Sequence, residues 1–255
     1  MTAPLGALLD QVAAGRFPPP DGGVTILPQP SPRDAGVISF TAHSVIFTDA
    51  DPAWVNGQLT PGDLSAPLLP PFLQAICART GRRVNNVDLL CLAAPLPGPP
   101  PLALTPLTAP SNPPPGLPPP DSAHPAPPPL AATSGWQRCC STGIGVAPVS
   151  PARAGGSRRL ARALRYRDDV RAWEAPGAIV ILGRGVASRW EVSVEVEPEY
   201  RGQGLGRELA LAARHLVPGD VALWAQIAPG NAASVRAFLA AGYQPVGAEA
   251  LLPLL

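Results

Sequence analysis

The chain has 255 residues, of which 46% are hydrophobic, and its formal net charge is +1. This near-neutral charge argues against the clustered basic surface of a nucleic-acid-binding protein. No apolar run is long enough to cross a bilayer, and the first ten residues lack the basic start and cleavage site of a signal peptide. We therefore expect a cytoplasmic protein with no nucleic-acid or membrane partner. The oligomeric state cannot be deduced from the sequence.

Residues 1–94 have an ordinary globular composition and predict an N-terminal α/β lobe. Asp51 followed by Pro52 has the pattern of a helix N-cap with proline in the first turn. In chain order we expect a helix over 3–14, a strand over 24–27, either element over 35–43, a strand over 44–47, a short helix from Pro52, a helix over 71–79 that stops at Gly81, and a strand over 87–92.

Residues 95–155 differ sharply from both flanks. They contain 17 of the 37 prolines before position 130, and the rest is rich in Ala, Gly, Ser and Thr. Such a stretch has few backbone donors and little apolar area for a core, so we interpret it as a linker. Its composition also fits a GC-rich sequence translated out of frame.

The remaining region, 156–255, alternates strand and helix patterns. The motif Glu174-Ala-Pro-Gly177 indicates a hairpin turn. In chain order we expect a basic helix over 157–164, strands over 169–173, 178–182 and 189–197, a helix over 205–216, a strand over 221–227, a helix over 231–241 and a last strand from Tyr243.

The most informative motif lies between the strand that begins at Trp190 and the helix that follows it. It has the form R-x-x-G-x-G and runs Arg201-Gly202-Gln203-Gly204-Leu205-Gly206. A glycine loop between a strand and a helix presents free backbone N–H groups to a phosphate. Glycines allow close approach of a ligand, and arginine adds a permanent positive charge.

A second motif follows after the strand 221–227. It begins at Asn231, continues through Ser234 and Phe238, and closes in Gly242-Tyr243. Together, the two motifs resemble the signatures of the GCN5-related N-acetyltransferase (GNAT) superfamily over about 60 residues, from Trp190 to Pro245. The resemblance implies an α/β fold with a mixed central sheet flanked by helices. It also implies transfer of an acetyl group from acetyl-CoA to a primary amine, on a small molecule or a protein, by direct attack in a ternary complex.

The first strand and helices of that fold are not evident directly before residue 156. Residues 24–38 resemble an opening strand and first helix, so 1–94 is either the front of one fold or a separate lobe, such as a degenerate half. We favour the separate lobe, because 1–94 contains more elements than the missing front requires. Under either interpretation the two regions should pack together, since the sheet would otherwise expose one face. The predicted divisions are therefore 1–94, 95–155 and 156–255.

The resemblance also implies site residues. For the pyrophosphate we expect Arg201 and the backbone amides from Gln203 to Arg207; for the pantetheine arm we expect strand residues and the second motif. The predicted cofactor-binding set is Val194, Val196, Arg201, Gln203, Gly204, Leu205, Gly206, Arg207, Asn231 and Ser234. Asn231 also suits a plain helix N-cap.

The catalytic groups are less clearly marked. Glu191 and Glu195 share the polar face of the strand and are candidates for the general base, although a half-exposed strand has the same pattern. Weaker base candidates are Asp168, Asp169, His43 and His215. Many relatives have a tyrosine seven residues after the asparagine, where this chain has Phe238, so Tyr243 is the remaining candidate acid. The missing acid keeps a second hypothesis open, a non-catalytic acyl-CoA-binding module.

The cysteines do not indicate a metal site. Cys77 and Cys91 fall in predicted core positions, and the adjacent Cys139 and Cys140 lack histidines at metal-ligand spacing. We expect acetyl-CoA as a co-substrate and no metal.

Overall fold

The structure, a computed structural model, describes residues 4–107 and 157–254. Its helices are α1 (Pro4–Ala13), α2 (Pro52–Gly57), α3 (Pro70–Thr80), α4 (Arg158–Tyr166), α5 (Leu205–Leu216) and α6 (Ala232–Ala240). Its strands are β1 (Val24–Pro28), β2 (Gly36–Phe40), β3 (His43–Thr48), β4 (Val87–Ala93), β5 (Thr105–Leu107), β6 (Asp168–Ala175), β7 (Ala178–Arg184), β8 (Trp190–Val196), β9 (Leu223–Ile227) and β10 (Gln244–Leu251).

Short polar side chains start three of the helices. Asp51 accepts a hydrogen bond from the Trp54 amide at 2.8 Å and so caps α2. Ser157 caps α4, and Asn231 caps α6, each by accepting a bond of 3.1 Å from an amide three residues on. These contacts satisfy N–H groups that have no partner within the helix. The predicted boundaries of these helices are therefore close to the observed ones.

Both ends of the chain contribute strands to the same sheet. The order of its ten described strands is β1-β3-β2-β10-β4-β9-β8-β7-β6-β5. Strand β4 lies between β9 and β10 and is antiparallel to both. The last strand, β10, in turn pairs with β2. The expected mixed sheet flanked by helices is confirmed.

Helices cover both faces of the sheet. On one face, α5 and α6 pack against β4, β7, β8 and β9, while α2 and α3 pack against the N-terminal strands. On the opposite face, α1 packs on β2, β3 and β4, and α4 packs on β6 and β7. Strands buried on both faces follow from this three-layer arrangement.

Strands β8 and β9 are parallel and pair only briefly. Their register contains two pairs, Trp190 with Leu223 and Glu191 with Trp224. Beyond Glu191, β8 pairs with β7 alone, along its whole length to Val196. The edge of β8 that faces β9 therefore has unpaired backbone groups, and the sheet opens there.

Two expectations differ from the structure. Residues 24–38 do not form a strand and a helix, because after β1 the chain turns at an isolated bridge between Ser31 and Asp34 and enters a second strand, β2. The predicted linker contains β5, which pairs with β6. The division into 1–94, 95–155 and 156–255 remains a proposal. Residues 108–156, including Cys139 and Cys140, lie outside the described residues.

Candidate active site

The glycine loop joins β8 to α5. Gly204 has a φ of +87°, which strongly favours glycine, and it occupies the N-cap position of α5. The amides of Arg207 and Glu208 donate to the Gly204 carbonyl, so the exposed N–H groups of the loop end at Gly206. Of the predicted amides, that of Arg207 therefore already has a partner within the helix, and the binding role of the set stays a prediction. A helix N-terminus of this kind favours a bound phosphate.

Neighbouring contacts hold this loop in position. Arg201 Nε donates to the Val196 carbonyl at 3.2 Å, and Gln203 Nε2 donates to the Glu199 carbonyl at 3.2 Å. The ring of Tyr200 lies against Gly177 in the β6–β7 hairpin, where an added Cβ would come within 2.1 Å of the ring. The loop is therefore fixed to the end of β8 and to the adjacent hairpin.

A cavity of about 420 Å³ opens where β8 and β9 diverge. Its wall on the α5–α6 side includes Val194, Asn231, Ser234 and Phe238. Val196 packs against the same core as Val194 and lies near Gly206, so β8 leads directly from the cavity to the glycine loop. The structure therefore places three of the predicted cofactor residues on the cavity wall and the glycine loop at the end of the same strand.

The wall on the other face comes from distant parts of the sequence. It includes Asp34 from the loop before β2, Asn86 and Asp88 at the start of β4, and Arg159 and Arg162 on α4. Sequence reasoning missed these residues. Asp88 begins a predicted strand, and α4 was recognised as a basic helix, but no local pattern indicates that the two meet.

Glu191 lies at the last pair between β8 and β9 and is only 4% exposed. Its carboxylate accepts from Arg167 Nε at 3.0 Å and from Arg189 Nε at 2.9 Å. Burial alone would raise the pKa of Glu191, but the two guanidinium groups outweigh it and lower the pKa. A carboxylate held in this way binds a proton weakly, so the position suits a structural ion pair better than a general base.

The ion pair continues into the centre of the sheet. Arg189 Nη2 donates to Glu249 on β10 at 2.7 Å, and Gln226 on β9 donates to the same carboxylate oxygen. Burial, the largest influence, raises the pKa of Glu249 despite its contact with Arg189. This network joins β8, β9 and β10 at the point where the sheet opens.

Glu195 is in a different environment. It is half-buried near the open end of β8, and its carboxylate accepts from the Ser157 hydroxyl at 2.7 Å and from the Arg159 amide at 3.4 Å. The carboxylate therefore holds the first turn of α4 against β8. Its role as a base stays a prediction.

Tyr243 lies in the core and not on the cavity wall. Its side chain is 2% exposed, its hydroxyl donates to the Ala210 carbonyl at 3.1 Å, and its ring contacts Phe238 edge to face at 4.9 Å. Burial raises the pKa of Tyr243. This environment disfavours proton donation to a ligand, whereas Phe238 itself lines the cavity.

The weaker base candidates are engaged elsewhere. Asp168 pairs with Arg33, and Asp169 pairs with Arg171. His43 contacts Asp21 and Thr25 at the edge of the sheet, and His215 contacts the carbonyls of 97 and 98. None of the four lines the cavity in the described structure.

A glycine loop therefore lies at the end of a strand that diverges from its neighbour over a cavity. Residues 170–243, which contain the loop and the Asn231 motif, match the model of the acetyltransferase (GNAT) family. The match agrees with the resemblance that the two motifs indicate, and it suggests acyl transfer from acetyl-CoA to an acceptor.

The chain also matches a solved structure, a GCN5-related N-acetyltransferase from Kribbella flavida. It is 15% identical, with a TM-score of 0.36, and the match covers 72% of this chain and 63% of that chain. No curated protein matches the sequence. In the described ranges, the helices are all too short or too polar to span a bilayer.

Proposed function

We propose that the chain transfers an acetyl group from acetyl-CoA to a primary amine by direct attack within a ternary complex. The observation that supports this most is the divergence of β8 from β9 beyond Glu191, because it opens a cavity beside a phosphate-binding loop. A cofactor whose pyrophosphate lies at the loop would place its thioester in that cavity.

The cofactor is held from one face of the sheet. The amides from Gln203 to Gly206 bind the pyrophosphate together with Arg201. The pantetheine amides pair with the free edge of β8 around Val194, as an added strand would. Asn231 caps α6 with its side-chain oxygen, which leaves its NH₂ group for the arm of the cofactor.

The acceptor amine enters from the opposite face, beside α4. Attack requires that the amine lose a proton and that the leaving thiolate gain one. In this proposal Glu195 remains a base candidate, Glu191 fixes the strand geometry, and water protonates the thiolate because Phe238 cannot.

A second candidate function is a non-catalytic acyl-CoA-binding module. The observation that favours it is the pair of aromatic residues at the second motif. Phe238 lacks a proton to donate, and the Tyr243 hydroxyl is already bonded to a core carbonyl. Both candidates predict acetyl-CoA binding, and only the first predicts release of free CoA when an amine is added.

The substitution Gly204→Glu tests the cofactor site. It places negative charge and bulk at the proposed pyrophosphate site in the glycine loop. Affinity for acetyl-CoA in calorimetric titration should therefore fall by at least about tenfold. Gly219→Glu is the matched control, because Gly219 has a similar φ of +74° and equally open surroundings in a turn away from the loop.

The control should bind acetyl-CoA as the unsubstituted chain does. Equal affinity in the two variants would contradict the placement of the cofactor. Thiol release with a panel of amines then separates the enzyme from the binding module.

A further inference from the structure

The acceptor half of the cavity contains charges of both signs, and some of them neutralise each other. Arg33 makes a bidentate pair with Asp168, at 3.0 and 3.3 Å, and also contacts Asp34. Arg167 is paired with the Glu191 carboxylate. These side chains have their counter-charges within the protein, so a ligand gains little by pairing with them.

Asp88 makes no salt bridge with any residue that the structure describes. One of its carboxylate oxygens accepts from Asn86 Nδ2 at 2.6 Å. Its other oxygen, Oδ2, has no hydrogen-bond partner among residues 4–107 and 157–254, and no cation lies within salt-bridge distance in those ranges. Burial, the main influence, raises the pKa of Asp88. A half-buried anion with one free oxygen is well suited to hold an ammonium group or take its proton.

Two arginines on α4 lack an anionic partner. Arg159 and Arg162 lie one turn apart and both line the cavity. Neither makes a salt bridge with any described residue, and Arg162 stacks over the Tyr166 ring at 5.1 Å. Arg162 is close enough to Asp88 to act on its pKa. Charges of opposite sign that make no salt bridge among the described residues therefore share one wall of the cavity.

We propose that the acceptor is a small amine that also carries an anionic group, either a carboxylate or a phosphate. Its ammonium group binds Asp88, and its anionic group binds between Arg159 and Arg162. A neutral amine would leave both arginines without a partner, whereas an amino acid or an aminoalkyl phosphate satisfies both ends. A cavity of about 420 Å³ that also admits the acyl arm suits a small acceptor. The inference rests on the proposed acetyl transfer.

The same geometry accounts for the protons. The ammonium loses one proton to the Asp88 carboxylate, and the freed amine attacks the thioester carbonyl carbon. A carbon–nitrogen bond forms, the carbon–sulfur bond breaks, and the thiolate leaves and takes a proton from water. The tetrahedral nitrogen loses its second proton to solvent, so no oxidant or further reactant is needed.

Matched pairs of amines test the inference. L-Serine is compared with L-serinamide, L-leucine with L-leucinamide, and phosphoethanolamine with ethanolamine, each with acetyl-CoA and the full chain. The anionic member of at least one pair should have a kcat/KM at least about tenfold higher, because charge-assisted bonds to arginine contribute that much. If no pair is turned over, the same amines are titrated into the CoA-saturated protein. Equal or weaker performance of every anionic member, in turnover or in binding, overturns the inference.

Variants locate the preference. Arg159→Gln and Arg162→Gln should each reduce it several-fold, and the double variant should abolish it. Arg158→Gln is the matched control, since Arg158 is exposed on α4 and does not line the cavity. Asp88→Asn should slow both members of a pair. If the double variant keeps the preference, or Arg158→Gln removes it, the assignment of the two arginines is overturned.

The failure of this inference is distinct from failure of the proposed function. Two results together would reject the acceptor class and keep the proposed acetyl transfer. The Gly204→Glu variant would lose acetyl-CoA binding, and the unsubstituted chain would acetylate neutral amines as well as anionic ones.

Discussion

The two halves of the proposed site are assembled in different ways. The cofactor half comes from β8, the glycine loop and the start of α6, which lie within about 45 consecutive residues of one another along the chain. The acceptor half combines Asp34 and Asp88 with Arg159 and Arg162, so its parts are separated by more than a hundred residues in places. Strand β4 brings the two halves together, because it enters the sheet between β9 and β10.

This difference has a physical origin. A phosphate can be bound by backbone N–H groups at one helix N-terminus, which a short strand–loop–helix segment supplies alone. An acceptor must be recognised by side chains that surround it, and these come from several elements. The two halves should therefore respond differently to substitutions where they meet and to substitutions within the glycine loop.

The largest effect on the free energy of unfolding should come from the ion pairs of Glu191, which lie where the two halves meet. Glu191→Gln leaves the buried guanidinium groups of Arg167 and Arg189 without full compensation, and the new NH₂ group faces donors. We expect the free energy of unfolding to fall by about 3–5 kcal/mol, measured by chemical denaturation. Because the pKa of Glu191 is lowered in the folded chain, this contribution is present above the ordinary carboxyl pKa and is lost as the pH falls through the lowered value.

Glu195→Gln is the control on the same face of β8. Glu195 is half-buried and accepts from Ser157 and a backbone amide, so its replacement should cost less than about 1 kcal/mol. Equal losses of stability in the two variants would show that the network around Glu191 does not hold β8, β9 and β10 together where the sheet opens.

Sequence patterns were sufficient for most of the elements and for the glycine loop between β8 and α5. The alternation from Trp190 to Val196 and the glycines after it are local signals, and they predicted β8, the loop and α5. Strand β5 was missed because Pro106 and its proline-rich neighbours are typical of a linker, although an edge strand tolerates proline. Asp88 was missed because its role depends on which strands are neighbours, and strand order is not written in local periodicity.

A second substitution tests how the N-terminal loop is attached to the end of the chain. Arg82 is 5% exposed, and its guanidinium donates to the carbonyls of Pro32, Arg33 and Leu252 and to the Gln29 side chain. Arg82→Met should cost about 2–3 kcal/mol in denaturation, since it leaves buried acceptors unpaired.

The adjacent Arg83→Met, at an exposed position, should cost less than about 0.5 kcal/mol. In the proposed site, Arg82→Met should also raise the KM for the acceptor more than the KM for acetyl-CoA, because the loop lines only the acceptor half. A uniform rise in both would indicate that the halves are not independent.

A third substitution perturbs the cofactor half alone. Gly177→Ala places a methyl group within 2.1 Å of the Tyr200 ring, at a φ of +72°, so the ring and the loop behind it must move. We expect a loss of about 1–2 kcal/mol in stability and about a tenfold weaker affinity for acetyl-CoA. Gly15→Ala has a similar φ and nothing within 4 Å, and it should cost stability without changing acetyl-CoA affinity. Weakened binding in both variants would mean that the contact with Tyr200 does not position the loop.

The smallest expected effect has the opposite sign. Because burial raises the pKa of Asp88, its charge is less favourable in the folded chain than in the unfolded chain. Asn86 and Arg162 oppose the rise, and Glu249 is its register partner on β10. Asp88→Asn should therefore raise the free energy of unfolding at pH 7 by roughly 0.5 kcal/mol while it impairs acetyl transfer.

The sign of this change in stability follows from the linkage between protonation of Asp88 and folding. A carboxyl whose pKa is raised on folding contributes its stability below the ordinary pKa of 3.8 and loses it as the pH rises through the raised value. The gain from Asp88→Asn should thus be full at neutral pH and shrink towards zero as the pH falls below about 3.8 in a denaturation series. If the gain in stability persists unchanged in acid, burial of the Asp88 charge is not its source. The Oδ2 atom of Asp88 would then no longer support the proposed acceptor site.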